Sequence, residues 1–250
     1  MCSPACSSIV LIHVPHTAAA QPVTILANPA CKDPDMAIDD PTELIDAWLT
    51  TWASIRGIRR TELDGWALMH VASSSRETEL VCLDPGIETF TDLTRHVAGD
   101  PRAMLTVVGR DVGPYLTARL PPGVRLDRDD ETLMSADLTD EDVPPLADGL
   151  TFRWTIDAHR TTYSVEAGDT VAAEGSVGVH DGWATFDAVE TTPAFQRRGL
   201  GRHVMKTLTR QAVGRGASRG VLAASAQGRS LYTGLGWKPR LEMLSLMGHE

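Results

Sequence analysis

Val189-Glu190-Thr191-Thr192-Pro193-Ala194-Phe195-Gln196-Arg197-Arg198-Gly199-Leu200-Gly201 decides the reading of this chain. An apolar strand runs into Val189, Pro193 breaks it, and a glycine pair opens a helix. Glycine there lets main-chain N–H groups approach an anion closely. Those groups sit at a helix N-terminus, where the helix dipole also favours negative charge. Arg197, Arg198 and Arg202 add positive charge, so the turn suits a pyrophosphate. It is not a dinucleotide-binding turn, because the spacing is not G-x-G-x-x-G and no parallel βαβ unit surrounds it. Nor is it a P-loop, because no Gly-Lys-Ser/Thr follows.

Working outward, Val171 to His180 and Trp183 to Val189 form a hairpin across Asp181-Gly182, a dipeptide suited to the tight turn. Thr151 to Ile156 and Thr162 to Glu166 precede it as strands. Downstream, Leu200 to Val213 is an amphipathic helix, Gly220 to Ser225 a small apolar strand, Gly228 to Leu235 a short helix and Leu241 to Met247 a last strand. Trp183 and Trp237 read as core residues.

This region resembles the GNAT superfamily of N-acetyltransferases. The family's Q/R-x-x-G-x-G/A turn is matched by Gln196-Arg197-Arg198-Gly199-Leu200-Gly201, after Thr191-Thr192-Pro193. Its L-Y-x-x-x-G-F helix end is matched by Leu231-Tyr232-Thr233-Gly234-Leu235-Gly236-Trp237. The resemblance covers about residues 150–250. It implies an α+β fold with a mixed, mostly antiparallel sheet flanked by helices. It also implies acetyl-CoA as cosubstrate, lying in a V-shaped split between strands 183–189 and 220–225, and no metal.

The resemblance further implies which residues do what. The main chain at Val189 and Thr191 would pair with the pantetheine arm. The N–H groups from Arg197 through Arg198, Gly199, Leu200 and Gly201 to Arg202 would hold the pyrophosphate. A backbone N–H near Val189 would face the developing oxyanion. Tyr232 would give a proton to the leaving thiolate, and Asp187 or Glu190 would take one from the amine. His203 reads as packing or a pyrophosphate neighbour. Two departures stand out: Ser225 replaces a frequent Asn, and the two helices that usually cover the acceptor site are missing between residues 150 and 183.

The first half must therefore supply that cover. Asp40-Pro41-Thr42-Glu43 opens a helix whose apolar residues Leu44, Trp48, Leu49, Trp52 and Ile55 recur at helical spacing, and Gly57 ends it. Strands follow at Trp66 to Ala72 and Glu79 to Leu83, a helix at Ile87 to Val97 and a strand at Met104 to Val108. A short helix spans Val112 to Leu120, and a strand Glu131 to Leu138. From residue 79 to 138 this order repeats that of 183–247. The equivalent turn, Leu83-Asp84-Pro85-Gly86-Ile87-Glu88, has one glycine, no arginine and two acids, which repel a pyrophosphate. The expectation is a tandem arrangement: a poorly packed arm over 1–35, a degenerate GNAT-like domain over 36–138 and a linker over 139–148 with Pro144-Pro145. An active domain covers 149–250.

Composition narrows the function. The chain has 250 residues, 42% hydrophobic and 22% charged, with a net charge of −10. Residues 146–250 carry 12 basic and 10 acidic residues, so +2, and residues 1–145 carry the other −12. An acidic chain repels polyphosphate, which argues against nucleic acid as partner. No apolar run reaches the roughly 18–20 residues of a membrane helix. With four cysteines, three of them in the first 31 residues and no metal-ligand spacing, the thiols read as free and the protein as soluble and cytoplasmic. The function expected is acetyl transfer from acetyl-CoA to a primary amine of a small molecule: an amino acid, a polyamine or an amine-bearing antibiotic. The alternatives are N-acetylation of a protein or peptide, and a coenzyme-sensing module without turnover.

Overall fold

A computed structural model describes residues 40–250, all within one compact unit. The expected arm over residues 1–35 and the cysteines at 2, 6 and 31 lie outside the described residues. Helix α1, Pro41–Arg56, begins where the Asp40 carboxylate accepts from the Thr42 N–H at 2.9 Å and ends at Gly57, φ 64°. Strands β1 (Arg59–Leu63), β2 (Trp66–His70) and β3 (Thr78–Leu83) follow, then α2 (Ile87–Val97), β4 (Ala103–Gly109), α3 (Gly113–Leu116) and β5 (Val124–Asp137). The second half holds β6 (Thr151–Ile156), β7 (Thr161–Ala167), β8 (Thr170–His180), β9 (Trp183–Thr191) and a 3₁₀ turn at Pro193–Phe195. It closes with α4 (Leu200–Gly214), β10 (Arg219–Ala224), α5 (Ala226–Thr233) and β11 (Lys238–Gly248).

All strands join one sheet in the order β1-β2-β3-β4-β11-β5-β10-β9-β8-β7-β6. This order places β3-α2-β4-α3-β5 and β9-α4-β10-α5-β11 about a pseudo-twofold between β11 and β5. Each half gives away its last strand. β5 pairs with β10, for example Leu133 with Ala223, and β11 pairs with β4, for example Leu244 with Val107. The two halves thus share a core instead of hanging from a linker. Residues 139–148 lack regular structure but are tied to α4: Lys206 and Arg210 pair with Glu141 and Asp140, at 2.9 and 2.7 Å.

Two strands differ from expectation. β1 was not anticipated, because Arg59-Arg60-Thr61-Glu62-Leu63 has no apolar alternation. Its Asp64-Gly65 turn, with φ 52° and 82°, was the available signal. β5 starts seven residues before the expected Glu131, because the acidic run 127–131 hides a strand held by β11.

Alternation along the strands sorts the helices by face. Trp48, Leu49 and Trp52 of α1 pack with Val81, Leu133, Trp183, Val221 and Met243 on one face. Helices α2, α4 and α5 cover the other, where Phe90 meets Leu105 and Leu244, and Val204 and Tyr232 share a cluster with Phe186 and Leu222. Trp183 and Trp237 are buried in the core, as read from the sequence.

Candidate active site

Contrary to the sequence reading, a parallel βαβ unit, β9-α4-β10, does surround the glycine turn; its two strands pair at only three positions, from Trp183–Arg219 to Thr185–Val221. Beyond these β9 stays with β8 as far as Thr191, while β10 stays with β5 as far as Ala224. The strands therefore part in a V. In the first half, β3 and β4 pair without a break from Thr78–Ala103 to Leu83–Val108, so no split opens. Tyr115 of α3 donates to the Pro85 carbonyl at 2.6 Å and pins the turn there.

At the opening of the V, β9 bulges. Ser176 pairs with Asp187 and Glu174 with Glu190, so one extra residue sits on β9, and Ala188 and Val189 fall outside the ladder. Ala188 takes φ 51°. A left-handed alanine costs on the order of 1–2 kcal/mol, a strain that persists where surrounding structure enforces it.

The glycine turn stands beside this bulge. Gly199 caps α4 with φ 81° and open space on its Cβ side, and no acid occupies the first turn. Among the described residues, no acceptor takes the N–H groups of Arg198 to Arg202. These are the properties of an anion cradle. Gly201 does a second job: a Cβ there would lie 3.1 Å from Leu231 Cδ2, so its absence lets α4 and α5 approach. Leu200 is buried and presents only its main chain. Arg198 donates to the Ala194 carbonyl and lies over Phe195; Arg202 donates to the Gly234 carbonyl. Arg197, at φ 62°, is exposed and makes no ion pair among the described residues. A cavity of about 360 Å³ borders the turn, between Pro144–Leu150 and Gly199.

His203 packs beneath this cavity. Its two ring nitrogens meet Tyr163 Oη at 2.8 Å and the Pro144 carbonyl at 2.9 Å, and burial lowers its pKa. With Nδ1 donating to the carbonyl, the neutral ring accepts from Tyr163. Of the two sequence readings for His203, packing fits.

A second cavity of about 320 Å³ lies at the bulge, where the V opens, lined by α1 from one side of the sheet and by Phe186 and Tyr232 from the other. It brings together three of the residues singled out from the sequence for chemistry: Asp187, Glu190 and Tyr232. Tyr232 is buried, and burial with the nearby Asp187 charge pushes its phenol up to about 12. Ser225 caps α5 by accepting from the Gly228 N–H at 3.2 Å, which fixes the helix that carries Tyr232. Asp187 accepts two hydrogen bonds from Arg56, at 2.7 and 2.8 Å. Glu190 is exposed at the rim.

Phe186, Val189, Ala223 and Met243 of the second half also line it, and the first half supplies the remaining wall, whose residues sequence reading missed. Trp48, Trp52 and Arg56 of α1, Arg76 just before β3, Glu79 within it, and Arg128 and Glu131 of β5 complete the wall. Helix α1 thus stands where the second half lacks its own cover. Trp48 and Trp52 are stacked 5.8 Å apart. Arg76 Nε lies 2.8 Å from Glu79 Oε2, and Glu79 Oε1 accepts from Thr106 at 2.7 Å. Arg128 pairs with Glu131 at 3.0 Å. Burial raises the Glu131 pKa; Arg128 pulls it down, and Glu79 and Asp130 add to the rise. Among the described residues, no group of three or more His, Cys, Asp or Glu could hold a metal ion. Nor is any helix among them long and apolar enough to cross a membrane.

Comparison with known proteins agrees with this geometry. Residues 126–237 match the Acetyltransferase (GNAT) family, a region that begins within β5. The chain is similar in structure to a GCN5-related N-acetyltransferase from Kribbella flavida, with 16% identity, 85% of this chain and 96% of that one covered, and a TM-score of 0.58. It is also similar to a GCN5-related N-acetyltransferase-like protein from Streptococcus suis, with 13% identity, 83% and 93% covered and a TM-score of 0.55. At such identities the likeness shows the fold, and it extends over both halves. A search of curated protein sequences finds no match. The matched residues 126–237 thus carry the pattern of the GNAT acetyltransferase family, a family that uses acetyl-CoA as cosubstrate.

Proposed function

We propose that this chain, through its GNAT-matching region at residues 126–237, transfers acetyl from acetyl-CoA to the primary amine of a small molecule. The observation that carries this reading is the cavity of about 320 Å³ at the V, walled by both halves. Small-molecule sites span about 300–1,000 Å³, so this one suits a compact acceptor. A protein tail would need a longer open groove.

Acetyl-CoA supplies the acetyl group as a thioester. The unpartnered N–H groups at the head of α4, with Arg197 and Arg198 beside them, suit its pyrophosphate. The main chain of Val189 and Thr191 borders the V and suits the pantetheine arm, with Val189 free of the ladder at the bulge. Tyr232, protonated throughout the neutral range, is the donor for the leaving sulfur. An ammonium cannot attack, so a carboxylate must first take its proton. Asp187 already accepts twice from Arg56, which suits it to positioning. Glu190 at the rim and Glu131 within the wall are the acceptors, and burial makes Glu131 the better base at neutral pH. The first half is a copy that closes the acceptor site without binding coenzyme.

Thiol release from acetyl-CoA, measured against a panel of amines, tests this reading. Release with at least one small amine is expected. Coenzyme binding without release under any amine would favour a sensing module instead.

A further inference from the structure

Three guanidiniums line a cavity that is to receive an amine, and they are not equally engaged. Arg128 uses every nitrogen: Nε on Asp127, Nη1 on Glu131 and Nη2 on the Met104 sulfur. Arg56 uses Nε and Nη2 on Asp187, which leaves Nη1. Arg76 comes closest to Glu79 through Nε, at 2.8 Å, and that contact is not aligned as a hydrogen bond. Among the described residues its Nη1 and Nη2 make no hydrogen bond, and the side chain is only 17% exposed. Arg56 and Arg76 lie against the same ring, each 5.9 Å from the centroid of Trp52.

A guanidinium largely withdrawn from water, with both Nη nitrogens free of protein acceptors, is stabilised by a ligand that accepts from them. Its planar fork matches a carboxylate, which it can hold through two parallel hydrogen bonds. A diamine or polyamine offers no acceptor and would be repelled. We infer that the acceptor is a zwitterion, an amine that carries a carboxylate, and that Arg76, with Arg56 beside it on Trp52, holds that carboxylate. The carboxylates near the V then face the ammonium end. With Asp187, Glu79 and Glu131 each paired to an arginine, Glu190 is the wall's surplus negative charge. This inference rests on the acetyltransferase reading and names its substrate class.

The test uses the full chain and thiol release. Glycine, β-alanine, γ-aminobutyrate, ornithine and lysine are compared with their carboxamides and with putrescine and cadaverine. The amino acids that turn over should show kcat/KM about tenfold or more above their uncharged or decarboxylated counterparts, as a charge-assisted contact of about 1.4 kcal/mol requires. Arg76→Gln should raise KM for the carboxylates about tenfold and shift the carboxamides by no more than about twofold. Arg76→Lys, which keeps the charge and loses the fork, should fall between, and unfolding midpoints of both variants verify folding. Turnover of diamines or carboxamides as good as that of the amino acids would overturn the inference and leave acetyl transfer standing. An equal loss on both acceptor sets in Arg76→Gln would do the same. Silence with every acceptor, despite coenzyme binding by calorimetry, would overturn both.

Discussion

Arg56, the last residue of α1, donates through Nε and Nη2 to the two carboxylate oxygens of Asp187 at the bulge of β9. Residues 131 apart in sequence thus clamp the first half onto the active strand of the second. Removing one partner leaves the other without its hydrogen bonds. Asp187→Ala should destabilise by about 0.5–1.5 kcal/mol, because water reaches the partly exposed Arg56, and the double variant with Arg56→Ala should recover part of that loss. Denaturant unfolding of the four members of the cycle measures it, and strict additivity would show the pair to be idle.

Tyr232→Phe keeps the ring in its core and removes the proton. Turnover should fall by about 10²–10⁴-fold, with little change in acetyl-CoA affinity. With the folded phenol near 12, Tyr232 should produce no alkaline loss of rate below pH about 10. The same shift bears on stability. The folded phenol holds its proton above the unfolded value of about 10, so its contribution is complete below pH 10 and is lost as pH rises through 12. A wild-type rate in Tyr232→Phe would assign the thiolate's proton to water.

Gly201→Asp should raise the acetyl-CoA dissociation constant at least about tenfold, or 1.4 kcal/mol. The added side chain brings negative charge to the anion cradle and presses on Leu231. Calorimetry on the folded variant reads it, and unchanged affinity would remove the turn from the coenzyme site.

Coenzyme stoichiometry should be one per chain, because β3 and β4 stay paired where β9 and β10 part. Residues 146–250 alone should not fold to an active unit, since β5, the strand between β10 and β11, lies outside them. Isothermal titration gives the first quantity; circular dichroism and thiol release of the fragment give the second. Two coenzymes per chain would contradict a closed β3–β4 pair, and an active fragment would contradict the need for β5.

The neutral His203 ring joins Tyr163 to Pro144. Its pKa is lowered on folding, so its contribution is present above the unfolded value of about 6.5 and is lost as pH falls through the folded one. The unfolding midpoint should drop between pH 7 and 5, and His203→Gln should flatten that slope. An unchanged slope would place the acid sensitivity elsewhere.

What the sequence determined by itself was local. The Asp40 cap, the Asp181-Gly182 hairpin and the glycine pair before α4 each act over a few residues through φ, capping or period, and each was legible. The Gln196–Gly201 turn and the helix bearing Tyr232 could therefore be read in place. The acceptor wall could not. Whether β5 lies beside β10 or among the strands of its own half depends on summed burial across the sheet, with Leu133 against Leu241 and Ala223. No short window of sequence carries that sum. Arg76, Glu79, Arg128 and Glu131 look like ordinary solvated charges along the chain; only the exchange of last strands and the docking of α1 turn them into one pocket with Tyr232, because long-range pairing and not local conformation sets their distance.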